Sequence, residues 1–156
     1  MSFRIILQLG FALMLLIFST GATLYEGSGI LEDTWEWKYT AIFSQMKNGP
    51  VENVNDILPI DYFVYAAKFV PTFPLLMLLG GTYLIILLAY IFLRRKDKIF
   101  SYILSCIGVL YLGLSSFISK SPTIGLKIFF NSFLFIGILL IVIALLRIFN
   151  YKTKKI

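Results

Sequence analysis

The 156-residue chain has no histidine and one cysteine, Cys106. Without imidazole, and with a single thiol, the usual ligand sets for zinc, copper, haem and iron–sulfur centres cannot be assembled, so only oxygen sites for hard cations are left. The lone thiol also excludes an internal disulfide and any C-x-x-C redox pair, and within its apolar run it reads as a small packed hydrophobe. Charge is scarce: Asp, Glu, Lys and Arg make up 14% of the chain, against about 25% in ordinary soluble domains. The cores of the four long apolar stretches hold no charged residue at all. Because placing a charge in the bilayer costs about 2.5–3.5 kcal/mol even on lenient scales and marks ion or proton pathways, its absence argues against a proton-coupled transporter, a pump or a voltage sensor. A pore lined by backbone or hydroxyl groups is not excluded.

What is present is apolar: 59% hydrophobic residues and a mean hydropathy of +0.88, beyond the reach of a soluble core. Four stretches, approximately 3–24, 69–93, 99–118 and 127–149, each match the ~30 Å hydrocarbon core when helical. Only a helix satisfies its own backbone over that length in lipid. The sequence therefore predicts an all-α integral membrane protein of four transmembrane helices, one membrane domain over 1–156, with the lipid bilayer as its first partner. Arg4, Arg94, Arg95, Lys96, Lys98, Arg147, Lys152, Lys154 and Lys155, opposed by Asp97, place a net +8 on one side, while the other side carries −2. By the positive-inside rule both termini and the 94–98 loop are cytoplasmic, which predicts a multi-pass protein of the bacterial cytoplasmic membrane with residues 25–68 outside. The overall +6 follows from this bias. It forms no continuous basic face, so nucleic acid is not expected as a partner. Arg4, the apolar run and Ser19-Thr20-Gly21-Ala22 also fit a signal peptide, but the run outlasts a typical h-region of about 7–15 residues, favouring a retained span.

Inside the spans, Ser101, Ser105, Gly108 and Ser115 fall near a 3.5-residue period. Such a stripe reads first as a close helix contact and second as a substrate lining. Pro71, Pro74, Gly80 and Gly81 cluster at the start of the second span, where they suggest a kink, a pathway lining, or simply a helix that begins at Pro71.

The 44-residue segment 25–68 is too aromatic to be a disordered linker. Alternation in Trp35-Glu36-Trp37-Lys38-Tyr39 predicts a short strand with Trp35, Trp37 and Tyr39 on one face. Together with Tyr25 and Glu26, these residues form either an aromatic anchor at the headgroup level or a platform that grips a partner. Asn48-Gly49-Pro50 signals a turn, and Pro59 opens an interfacial helix through Phe69 that groups Tyr62, Tyr65 and Phe69. Glu26, Glu32, Asp33 and Glu36 lack the spacing of a calcium loop and read as solvated acids.

Tyr25-Glu26-Gly27-Ser28, Trp35 to Tyr39 with Phe43-Ser44 after it, and Asp61 to Phe69 leading into Pro71-Thr72-Phe73-Pro74 together resemble a family of small, uncharacterised membrane proteins from Bacillus and relatives, defined as a domain of unknown function. The resemblance covers roughly residues 1–95. Members typically read Ser-Thr-Pro-Phe-Ser where this chain has Thr40-Ala41-Ile42-Phe43-Ser44, so the turn a proline would fix is not fixed here. The resemblance implies a bacterial inner-membrane address and transfers no activity.

No nucleophile–base pairing for covalent catalysis is visible, so the protein is not expected to be an enzyme or to carry a cofactor. The leading expectation is an accessory or interaction protein that meets a membrane or envelope protein partner through Tyr25, Glu26, Trp35, Glu36, Trp37, Lys38 and Tyr39. A small channel or permease component using Pro71 to Gly81 is the alternative.

Overall fold

The computed structural model describes residues 3–93 and 96–153, with side chains through Tyr151. Arg94, Arg95, Lys154, Lys155 and the side chain of Lys152, all part of the charge argument, lie outside that description. Among the described residues all regular structure is helical, in the order α1 (Phe3–Gly27), α2 (Trp37–Thr40), α3 (Ile42–Asn48), α4 (Pro59–Phe69), α5 (Thr72–Leu93), α6 (Asp97–Ile118) and α7 (Ile124–Thr153). Three 3₁₀ turns, Ser28–Leu31, Thr34–Glu36 and Val54–Asp56, connect the short helices. The helices α1, α5, α6 and α7 are long and apolar enough to cross a membrane.

The second span begins at Thr72 rather than 69 for a local reason. Val70, which precedes a proline, lies at φ −130° and ends α4, since the residue before proline is pushed out of the helical region. The Pro71 carbonyl then accepts the first bond of α5 from the Leu75 N–H at 2.9 Å. The expected strand at 35–39 is not formed. These residues run from a 3₁₀ turn into α2, because a helical turn sets Glu36 beside Thr40 and frees Trp37 to enter a core, whereas alternation would have kept Trp37 level with Trp35 and Tyr39. The turn at Asn48-Gly49-Pro50 and the helix opened by Pro59 are present: α3 stops at Asn48, and Gly49 takes φ +83°, a left-handed value suited to glycine.

The chain forms two compact units, one of Met1–Gly81 with Thr123–Leu126, the other of Thr82–Pro122 with Lys127–Ile156. In the first, Ile30, Trp37, Ala41 and Ile57 make a core lined by Leu31, Val51, Tyr62 and Tyr65. In the second, Phe100, Leu104, Leu140 and Ala144 join α6 to α7, with Ile86, Ala89, Tyr90 and Leu93 of α5 packed on them.

The small-residue stripe of α6 is a helix contact. A Cβ added to Gly108 would lie 2.8 Å from the Gly137 carbonyl oxygen, and one added to Gly137 would lie 2.9 Å from that of Gly108. The two backbones touch, as small residues allow in membrane helices. Ser101 and Ser115, two turns to either side of Gly108 on the same helix, are buried and donate to the Asp97 and Leu112 carbonyls of their own helix at 2.9 and 2.8 Å. Cys106 is exposed on α6 rather than packed, because it lies off the face that carries Gly108. Where the ends of α6 and α7 meet, Arg147 donates to Asp97 at 2.7 Å and stacks 4.7 Å from the Phe100 ring.

Candidate functional site

The segment between α1 and α5 is built on three polar anchors. The first ties the 3₁₀ turn at 28–31 to α2. Trp37 is 9% exposed, and its indole N–H donates to the Ile30 carbonyl at 2.7 Å. One turn of helix leaves the carbonyls at its end short of donors. Gln45 supplies them, its amide reaching the carbonyls of Trp37 at 2.6 Å and Lys38 at 3.1 Å.

The second anchor is Asp61, which is fully buried. Ala41 at the start of α3 offers no side-chain cap, so the first N–H groups of that helix must be satisfied from elsewhere. Both oxygens of Asp61 do this from α4: the Phe43 and Ser44 N–H groups each donate to it at 2.9 Å, and the Ser44 hydroxyl donates at 2.5 Å. That hydroxyl also accepts the Leu58 N–H at 2.7 Å. The burial of this carboxylate is offset by three donors and the positive end of a helix.

The third anchor joins α4 to the W-E-W-K-Y element. Lys68 donates to Glu36 at 2.8 Å and to the Thr40 hydroxyl at 2.5 Å, while Thr40 donates to the same Glu36 oxygen at 2.6 Å. The hydrogen bond from Lys68, then that from Thr40, holds the Glu36 carboxyl below its ordinary range, although partial burial works the other way. Tyr65 shifts upward, chiefly through burial, with the charges of Asp33 and Glu36 adding to it. Its ring packs 4.8 Å from that of Phe69.

These anchors require close backbones. A Cβ on Gly27 would fall 2.1 Å from the Tyr62 carbonyl oxygen, so the glycine of Tyr25-Glu26-Gly27-Ser28 is where α1 meets α4. Ser28 finishes the helix by donating to the Tyr25 carbonyl at 2.6 Å. Gly125, in the first turn of α7, approaches the other end of α4: its Cβ would lie 2.2 Å from the Ala67 oxygen and 2.4 Å from that of Lys68.

The seven residues singled out in the sequence therefore divide. Glu36 and Trp37 are used inside the segment. Tyr25 (82% exposed), Trp35 (77%) and Tyr39 (54%) stand out from it, with the Lys38 ammonium 5.7 Å from the Tyr39 ring centre. Glu26 is half-buried, and its Oε2 is buried without a hydrogen-bond partner among the described residues. Lys38 also borders a groove of about 570 Å³, lined besides by Thr34, Trp37, Gln45, Gly49, Pro50 and Val51. Sequence reasoning missed Gln45, Ser44 and the reach of Asp61 to α3. An i,i+4 reading of Glu36 and Thr40 was the available signal for a helix. In α5, Pro71 and Pro74 fall before and within the first turn, while Gly80 and Gly81 face α1, with Cβ positions 3.5 Å from Leu15 and 3.7 Å from Leu16. Among the described residues no group of three or more acidic or cysteine side chains is placed to hold a metal ion.

Four membrane-length helices with a folded aromatic–polar segment after the first define a multi-pass membrane protein. A family model described as "Domain of unknown function (DUF4306)" matches residues 6–93, and the chain belongs to that family. The matched region takes in most of α1, the whole intervening segment and α5. The chain is also similar to the protein of Bacillus subtilis (strain 168) named "Uncharacterized protein YjdJ", 34% identical over 83 residues, or 52% of this chain and 76% of that one. No solved structure matches.

Proposed function

We propose that this bacterial membrane protein is a non-enzymatic accessory subunit of the cytoplasmic membrane. In this reading both termini are cytoplasmic, and the segment between α1 and α5 faces outward to contact an envelope protein through Tyr25, Trp35, Lys38, Tyr39 and the adjoining groove. One observation carries the reading: the segment buries Trp37 to 9% exposure yet leaves Trp35, two residues away, at 77%. Its internal polar groups are largely committed to one another, so the outward aromatics are surplus to folding. Tryptophan and tyrosine in such settings supply much of the energy of protein contacts. The serine hydroxyls of α6 weigh against a permease, since Ser101 and Ser115 are spent on their own helix.

The test compares one double variant with the parent in native membranes. Trp35→Ala with Tyr39→Ala should abolish cross-linked capture of a specific envelope protein while insertion and protease pattern stay as in the parent. Capture of the same partners at the same yield would sink the proposal. Sidedness is read separately, from labelling by an impermeant thiol reagent of Ser28→Cys, Asn48→Cys and Lys96→Cys in a Cys106→Ser background. The first two should label in intact cells and the third only after lysis.

A further inference from the structure

Asn131 lies on the exposed face of α7, and it is the polar member of a groove of about 270 Å³ whose other walls are Leu134, Phe135, Ile138, Leu139 and Val142. It sits four residues past Lys127, about 6 Å along the helix, and the twenty residues from Lys127 to Arg147 span about 30 Å, the thickness of the hydrocarbon core. The carboxamide therefore points from a helix flank toward lipid. The buried hydroxyls Ser19, Thr23, Ser101 and Ser115 all donate to carbonyls of their own helices. The Asn131 side chain makes no such bond among the described residues. Acyl chains can cover Phe135, Ile138 and Val142, but they offer nothing to two amide donors and a carbonyl.

We propose that this face of α7 pairs with the same face of a second copy of the chain, with Asn131 meeting Asn131 across a two-fold axis along the membrane normal. Three features select a second copy. An amide is self-complementary, each group donating to the carbonyl of the other. All copies insert in one orientation, so their α7 helices run parallel and Asn131 lies at one depth in every copy. The flanking wall of Phe135, Ile138 and Val142 continues down one side at alternating steps of four and three residues, the spacing that a parallel helix seam uses, where a single asparagine sets register and partner number. The contact is isologous and closes at two copies. The pairing does not depend on which partner the segment between α1 and α5 meets.

The experiment uses the full chain in lipid vesicles with Cys106→Ala as background and a single cysteine at Ile138→Cys, or at Leu110→Cys on the exposed face of α6 as a control. Mild oxidation should cross-link Ile138→Cys into a dimer well ahead of Leu110→Cys. Adding Asn131→Leu should lower that yield about tenfold, the scale of a pair of interhelical amide bonds in lipid, and Asn131→Gln should restore most of it. Asn131→Leu places an apolar side chain on a lipid-facing flank, so the protein is expected to insert and resist protease as before. Equal cross-linking at positions 138 and 110 would overturn the proposal. So would an unchanged yield with Asn131→Leu, which would mean that water or headgroups satisfy the amide.

Discussion

The polar side chains that anchor the segment between α1 and α5 reach across the chain, whereas the hydroxyls within the long helices mostly fold back on themselves. Asp61 bonds residues 17 and 18 positions away, Lys68 reaches 28 and 32, and Trp37 reaches 7. In the apolar helices the bonds of Ser19, Thr23, Ser101, Ser115 and Ser116 span three or four positions. Thr82, paired with the Tyr111 hydroxyl, and Arg147, paired with Asp97 where the ends of α6 and α7 meet, depart from that pattern. The contrast follows from the solvent. A helix in lipid must satisfy its hydroxyls locally or find a partner helix, so its fold rests on shape, as at Gly108 and Gly137. A short segment in contact with water lacks the length to hold helices such as α2 by their own propensity. It depends on long-range polar bonds to hold them in place.

If that contrast is right, removing one long-range anchor should cost far more than removing a back-bonded hydroxyl. Asp61→Ala leaves the Phe43 and Ser44 N–H groups and the Ser44 hydroxyl without their acceptor, and hydrogen bonds to a charged group contribute about 1.5–3 kcal/mol each. We expect the segment to open to protease between 28 and 58 while the long helices stay inserted. Next in size is Gly27→Ala, which should cost about 1–3 kcal/mol as an overpacked contact. Gly21→Ala in the same helix has nothing within 4 Å of its new Cβ and should be neutral in the same denaturation assay.

Lys68→Met comes third, at about 1–2 kcal/mol for a partly buried charged hydrogen bond, and it carries a pH signature. Because the folded state lowers the Glu36 carboxyl from its ordinary value of 4.5, the stabilisation from that group is complete above that value and is lost as pH falls through the lower folded value. Protease resistance of the parent should therefore decline in acid below about pH 4.5, and Lys68→Met should flatten that decline. The smallest effect is Ser115→Ala. Its hydroxyl bonds only the Leu112 carbonyl, and a change within about 0.5 kcal/mol is expected. A loss as large as that from Lys68→Met would erase the comparison.

The same division explains what could be read from residues alone. The four long helices were legible because hydropathy over twenty residues is additive and needs no knowledge of neighbours. Pro59 and Gly49 were legible because each imposes its own backbone geometry. The W-E-W-K-Y element misled because its alternation of aromatic and charged residues is real, yet Trp37 is decided by Ile30, and Glu36 by Lys68, which lies 32 positions on. Asp61 showed the same limit: the helix that holds it was visible from Pro59, but its role as the missing cap of α3 depends on Ala41 having none to offer. Tyr25, Trp35, Lys38 and Tyr39 were singled out by residue type alone, and only the fold separated their exposed side chains from Glu36 and Trp37, which are used within the segment.

The approach of Gly125 to the last carbonyls of α4 has a practical consequence for anyone dividing this molecule. The stretch matched by the family model ends at residue 93, yet the compact unit that holds its larger part, through Gly81, also takes in Thr123–Leu126 at the start of the final helix. A fragment cut after α5 would leave the exit of α4 bare where a glycine backbone had covered it. It should therefore behave as a loosened version of the same structure rather than as a minimal working module.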